Sequence, residues 1–172
     1  MPLIPFDPEA ILTALEKERV RYIVIGGLAA ALHGSPLLTQ DIDICPARDV
    51  DNLKRLASAL RSIGAKIRTE DVPEGLPFAC DEQFFSNVDL VNLTTSYGDV
   101  DVAFIPSGTR GYAELSQRAR RLDIGNELAP PIADLEDVIR SKQAANRPKD
   151  LAALPTLLTL LAEMKRRGSK SE

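Results

Sequence analysis

Two aspartates straddle one isoleucine in the stretch TQDIDIC, residues 39–45. The run reads as a strand. Residues two apart on a strand share a face, which puts Asp41 and Asp43 roughly 6–7 Å apart on one side. Ile42 and Ile44 turn the other way, into the core. Like charges so placed repel, and one carboxyl tends to stay protonated unless a cation sits between them. A Mg²⁺ ion (or Mn²⁺), which prefers carboxylate, water and phosphate oxygens, removes that conflict. A second pair, Asp99 and Asp101, lies in GDVDVAF with Val100, Val102 and Phe104 on the opposite face. If this strand lies beside the first, one of its aspartates completes a three-carboxylate cluster. Such a cluster can hold two metals about 3.5–4 Å apart, one activating a nucleophile and one clamping phosphates. Asp101, deeper in the apolar run, is the expected third ligand.

Gly26-Gly27 ends the strand RYIVIGG and opens a short helix, LAAALHG. Glycines there leave backbone N–H groups bare at a helix start, where phosphate binds well. Singly, these features are weak. Most D-x-D pairs sit on solvated edge strands, and Gly-Gly is often a plain strand-to-helix turn. Their order and spacing together carry the functional reading. His33 is the only histidine. A structural role closing the short helix is expected of it rather than a role as base, since a metal can lower the nucleophile's pKa without one.

The elements that position these residues follow from pattern. Asp7-Pro8 marks an N-cap and first helical position, with the helix running to about Glu18 and burying Ile11, Leu12 and Leu15. After Pro46, Leu53, Leu56, Ala57, Leu60 and Ile63 recur at helical spacing, and Gly64 supplies the stop. AKIRT is expected to be a strand, residues 70–87 a loop with a helical turn, and VDLVNLTTS and DVDVAFIP two strands joined through Tyr97-Gly98. A helix over 111–119, strand and turn in RLDIGNELAPP, and a helix capped by Asp134 and running to Ala145 follow. Pro148 starts a last helical stretch, which Pro155 should kink or divide, and the tail from Lys165 should fray. The sum is an α+β chain, a small mixed sheet with packed helices and a C-terminal helical element. A single domain over 1–172 is expected, its sheet core and metal site in about 1–110 and its mostly helical part in about 111–172.

Composition bounds the function. The chain has 172 residues, 44% of them hydrophobic, with net charge −4. That charge argues against bulk, non-specific DNA binding. Two cysteines, Cys45 and Cys80, are too few for a disulfide framework and suit buried thiols in a reducing cytoplasm. MPLIPFDPEA has neither a basic nor an apolar leader region, and no apolar run approaches the roughly 20 residues of a membrane span. The expected location is therefore cytoplasmic, with no membrane partner. Charge is uneven. Residues 1–110 carry 10 Lys+Arg against 16 Asp+Glu, and residues 111–172 carry 11 against 9. The bunches at Arg118, Arg120, Arg121, then Arg140, Lys142, Arg147, Lys149, then Lys165–Arg167 are either solvated helix faces or a positive wall facing the acidic centre, as a polyphosphate would require.

A strand ending in Gly26-Gly27, a gap over residues 28–40, then Asp41-Ile42-Asp43-Ile44 resembles the signature of the nucleotidyltransferase superfamily with a DNA polymerase β-like fold. GGLAAALHGSPLLTQDIDI together with EDVIRSKQAANRPKDLAALPTL is similar to the AbiEii/MenT-like group, many of whose members are toxins of toxin–antitoxin pairs. The resemblance covers about residues 20–160. It implies that Asp41 and Asp43 bind metal with Asp101 as third carboxylate, and that Gly26, Gly27 and Ser35 meet the nucleotide phosphates. It also implies that Lys142 and the run Arg147-Pro148-Lys149-Asp150 line the site from the helical side. Lys142, a point charge suited to a triphosphate, joins the three aspartates as a candidate catalytic residue. Asp150 would orient Lys142 or serve its own helix end. In relatives a basic residue often stands where this chain has Leu37.

The implied activity is metal-dependent transfer of an NMP from an NTP to an RNA 3′ end (such as tRNA) or a protein hydroxyl, releasing pyrophosphate. A cognate antitoxin is the implied protein partner. The alternatives are a non-catalytic nucleotide- or protein-binding module of the same fold, and a metal-dependent phosphohydrolase.

Overall fold

Caps and apolar periodicity set the elements. The Asp7 carboxylate accepts from the Ala10 N–H at 3.0 Å and Pro8 takes the first helical position. Asp49 and Asp81 cap two further helices in the same way. In the computed structural model, which describes residues 4–169, the order is α1 (Pro8–Lys17), β1 (Tyr22–Ile25), α2 (Gly26–Leu32), β2 (Asp41–Pro46), α3 (Val50–Ser62), β3 (Lys66–Ile67) and α4 (Glu82–Ser86). Then come β4 (Leu90–Thr95), β5 (Gly98–Ala103), α5 (Tyr112–Leu115), β6 (Arg120–Arg121), β7 (Pro131–Ile132), α6 (Leu135–Ala145) and α7 (Pro148–Ser169). The start of the N-terminal stretch, 1–3, and the end of the basic tail, 170–172, lie outside the described residues.

The strands form one mixed sheet in the order β3-β4-β5-β2-β1-β7-β6, the α+β architecture expected. β2 runs parallel to β5 and antiparallel to β1. β7 pairs parallel with β1, so the second part of the chain also contributes to the sheet. Ile42, Ile44, Val100 and Val102 are fully buried in a core shared with α1 and α3, through Ile11, Leu15, Leu53, Leu56 and Leu60. Asn52, buried on α3, ties that helix to the start of β1. Its amide accepts from the Arg21 N–H (2.7 Å) and donates to the carbonyls of Arg21 (2.9 Å) and Ala47 (2.7 Å). Both cysteines are free and buried. Burial pushes the Cys45 thiol up to about 12 and the Cys80 thiol to about 11, which suits packing rather than reactivity. Among the described residues no helix is long and apolar enough to cross a membrane.

Three local expectations are corrected. The helix expected over 111–119 shrinks to Tyr112–Leu115, because Arg120 and Arg121 pair as β6 with β7. Of the two outcomes expected of Pro155, division of the helix does not occur, since α7 is continuous over Pro148–Ser169. The carbonyl its ring crowds is that of Leu151, a half-exposed residue of the first turn whose carbonyl can turn to water. Residues from Lys165 are helical to Ser169 rather than frayed. Lys165 Nζ reaches Glu136 at 2.9 Å and Arg166 pairs with Glu163.

Candidate active site

Strand register builds the acidic centre. β2 and β5 pair Asp41 with Asp99 and Asp43 with Asp101. Residues in register on adjacent strands face the same way, so all four carboxylates lie on one side of the sheet. Asp41, Asp43 and Asp101 each offer an oxygen within 4.8 Å of the others'. Thr39 Oγ1 donates to the Asp41 carbonyl at 3.0 Å and lies 3.4 Å from its Oδ1, which fixes the entry to β2. Among the described residues it is Asp101 rather than Asp99 that joins this group, and Arg68 holds both, its guanidinium forking to Asp99 Oδ2 (2.7 Å) and Asp101 Oδ1 (2.9 Å) and also donating to the Leu93 carbonyl (3.2 Å). Arg68, just past the two-residue β3, was not among the residues singled out from the sequence. The alternation of AKIRT was its only signal.

Electrostatics leave the three carboxylates repelling one another, a conflict that a bound cation would relieve. Burial, then the charges of Asp41 and Asp101, push the Asp43 carboxyl up to about 7, against the opposing pull of Lys149 and Lys142. Burial also raises Asp101, opposed by Arg68. Three hard oxygen donors within 4.8 Å of one another, one of them raised by burial and by its neighbours' charges, are a donor set that fits Mg²⁺ or Mn²⁺.

The glycines meet this centre directly. Ile25 is in register with Asp43, so the turn into α2 passes over that carboxylate. Gly26 has φ +65, and a Cβ there would overlap the Asp43 carboxyl, 2.9 Å from its Cγ. A side chain at 26 is excluded both by conformation and by the aspartate. No side chain caps the first turn of α2. Ser35 is buried and its Oγ accepts from the Leu37 N–H at 3.2 Å. His33 Nε2 lies 2.8 Å from the Ala133 carbonyl, tying the end of α2 to the segment after β7, the structural place expected of it.

The cations come from the corner between α6 and α7. Asn146 adopts the left-handed conformation that ends α6 (φ 55), and Pro148 starts α7. Asp150, fully buried, holds the corner. Arg147 Nε donates to its Oδ2 at 2.7 Å, the Arg147 N–H lies 3.3 Å from the same oxygen, and Lys142 Nζ is 3.6 Å from Oδ1. Burial alone would raise the Asp150 carboxyl, but hydrogen bonding to Arg147 and the charges of Arg147 and Lys142 outweigh it and hold it low. Asp150 thus orients Lys142 and serves its own helix start together.

A cavity of about 780 Å³ brings these parts together. Gly26, Gly27, Ser35, Asp41, Asp43, Asp101, Lys142, Arg147, Lys149 and Asp150 all line it, as does Leu37. The wider positive wall does not form. Arg118 binds Glu136 and the buried Asp137, Arg140 binds Glu114 and Asp137, and Arg121 binds Glu16. Of the bunched basic residues, Lys142, Arg147 and Lys149 are the ones at the cavity.

No family model and no curated protein matches the chain. Solved structures do. LnuA, a lincosamide antibiotic adenylyltransferase bound to lincomycin, aligns with TM-score 0.59 at 16% identity over 91% of this chain and 99% of its own. ANT(2″)-Ia in complex with adenylyl-2″-tobramycin gives 0.58 at 15% identity over 92% and 89%. TM1012 of Thermotoga maritima, assigned as a nucleotidyltransferase, gives 0.54 at 18% identity over 90% and 95%. At these identities the likeness speaks to architecture, and it does so over nearly the whole chain: this protein has the nucleotidyltransferase fold.

Proposed function

We propose that the chain is a metal-dependent nucleotidyltransferase, acting as one domain, that moves an NMP from an NTP to an acceptor hydroxyl and releases pyrophosphate. The observation that carries this is the convergence of Asp41, Asp43 and Asp101 on one point, in a cavity whose other wall supplies Lys142, Arg147 and Lys149. The three aspartates would hold one or two Mg²⁺ ions, whose chemistry is to neutralise the α-phosphate and lower the pKa of the attacking hydroxyl. Lys142, steadied by Asp150, would balance charge on the β- and γ-phosphates, with Lys149 and Arg147 beside it. Gly26 lets the chain pass directly against Asp43, so the backbone N–H groups of Gly26 and Gly27 at the start of α2 would meet the phosphates beside it. Asp101, positioned by Arg68, would face the incoming hydroxyl. Positioning and charge balance supply most of the catalysis in such a transfer.

Similarity to the AbiEii/MenT-like group supports an RNA 3′ end, such as tRNA, or a protein hydroxyl as acceptor. It also supports a role as the toxin paired with a cognate antitoxin. Growth arrest on expression, lost in Asp43→Ala, is the expected result of that role. Leu37, where relatives often carry a basic residue, leaves the cations of the α6–α7 corner to serve the phosphates.

The test is incubation with each α-labelled NTP, Mg²⁺ and fractionated bacterial extract, with pyrophosphate followed in parallel. Label on an acceptor with matching pyrophosphate release supports transfer. Free NMP without labelled acceptor would mean a phosphohydrolase, and nucleotide binding without either product a binding module.

A further inference from the structure

The two sides of the carboxylate centre differ in chemistry. Strand order places β1 and α2 on one side of β2, and β5 then β4 on the other. Lys142, Arg147 and Lys149 come from α6, the turn after it and α7 in that order, and α6 packs on α2. On the other side the carboxylate face simply continues. Asn92 is in register with Asp101 and Leu90 with Ala103, so Asn92, Leu90 and Ala103 make one strip, which Ile105, just past the end of β5, extends into the cavity. All four line the cavity, as does Leu38 from the loop before β2. Leu38 is 96% exposed, Leu90 62% and Ile105 55%, a concentration of bare aliphatic side chains beside charged groups.

The charges near the strip are negative or already committed. Asp89, at the foot of β4, is 73% exposed, and Asp99 is 38% exposed. Arg48 is held by Asp89 at 2.8 Å, by the Val88 carbonyl and over the Phe104 ring. Arg68 is held by Asp99 and Asp101. A polynucleotide is gripped mainly through phosphates, by Lys and Arg. Such an acceptor laid on this strip would meet carboxylates and aliphatic carbon. In phosphoryl transfer the attacking and leaving oxygens lie roughly in line across the phosphorus. With pyrophosphate leaving toward Lys142, Arg147 and Lys149, the hydroxyl arrives from the strip.

Resting on the transferase reading above, we infer that Asn92, Leu90, Ala103, Ile105 and Leu38 form the acceptor subsite, and that the acceptor is a small hydroxyl compound, neutral or cationic, with an apolar face. The acceptor oxygen forms a bond to the α-phosphorus as the bond from that phosphorus to the bridging oxygen breaks. Pyrophosphate leaves with the electron pair, and the hydroxyl proton passes to the Asp101 carboxylate. The cavity volume of about 780 Å³ falls in the range of small-molecule sites. This departs from the RNA and protein acceptors that the sequence resemblance implies.

The experiment offers α-labelled NTP and Mg²⁺ with three separate pools from a bacterial extract: the small-molecule ultrafiltrate, purified total RNA and dialysed protein. The enzyme is compared with a Leu90→Asp, Ile105→Asp double variant, both positions being exposed enough to leave folding intact. Mg²⁺·NTP binding is measured by calorimetry on each. The expected result is label in the ultrafiltrate pool, identified by mass spectrometry. The double variant should lose at least tenfold of that transfer while its NTP affinity stays the same. Label confined to RNA or protein, or ultrafiltrate labelling indifferent to the double variant, would overturn the acceptor assignment while leaving nucleotidyl transfer standing. Failure to label any pool despite tight NTP binding would overturn both.

Discussion

The two halves of the site are held in different ways. Asp41, Asp43 and Asp101 sit on adjacent central strands, fixed by backbone ladders and by Ile42, Ile44, Val100 and Val102 buried beneath them. Lys142, Arg147 and Lys149 hang on a helix corner whose geometry depends on one buried carboxylate, Asp150. The acidic half is rigid but electrostatically frustrated, because its carboxylates repel. In the cationic half, Arg147 and Lys142 are held by a single buried group. Loss of a carboxylate should therefore remove chemistry while sparing the fold, whereas loss of Asp150 should loosen both the corner and nucleotide binding.

The largest expected effect is at Asp43. Asp43→Ala should lower nucleotidyl transfer by more than the 10–100-fold, roughly, that outer-shell partners of a metal cost. Its melting temperature without metal should equal or exceed the parent's, since a repelled charge has gone. A melting temperature well below the parent's would mean that the acidic half is structural. Arg68→Gln comes next. It should weaken Mn²⁺ affinity by about 10–100-fold, read by calorimetry, as Asp101 loses its orientation. Arg68→Lys should recover only part of this, because one ammonium cannot fork to both Asp99 and Asp101. Unchanged Mn²⁺ affinity in Arg68→Gln would remove Arg68 from the site.

Asp150→Ala removes the buried acceptor that Arg147 and Lys142 share. Chemical denaturation should show a loss of about 1–3 kcal/mol, and KM for NTP should rise several-fold with a smaller change in kcat. A kcat effect without a KM effect would contradict the idea that this corner binds the triphosphate. The remaining effect is in pH and leaves the sequence unchanged. The Asp43 carboxyl stands near 7 in the fold against an ordinary 3.8. Between those values the folded state holds more protons than the unfolded one, so the stability of the metal-free protein should fall as pH rises through that window. Thermal melts over that range should show the slope, and it should flatten in Asp43→Asn and with saturating Mg²⁺. A slope that persists in Asp43→Asn belongs to another group.

Legibility followed the same divide. The strand half was readable because alternation dictates which residues share a face, and that placed both D-x-D pairs and favoured Asp101 over Asp99 on depth. The pairing of β2 with β5 stood only as a condition, since parallel neighbours are joined by long connections that leave no local signal. Arg68 was invisible for a related reason. It follows a two-residue strand, and both its carboxylate partners lie more than 30 residues away in sequence. The helix half came from resemblance rather than pattern, because a basic bunch does not reveal which members meet carboxylates from elsewhere. Arg121, which meets Glu16 of α1, shows this plainly. Pro155 shows the limit of a local rule, since a half-exposed first turn let α7 run through it.

The measurement that most directly tests the acidic half as a metal centre is the EPR signal of Mn²⁺ titrated into the protein with and without NTP, beside Asp43→Asn. The three carboxylates should remove the free Mn²⁺ signal at stoichiometric protein, more tightly with NTP present, and Asp43→Asn should leave the ion free at the same concentration. An undiminished free-ion signal in the parent protein with NTP bound would contradict the metal centre and the transfer chemistry built on it.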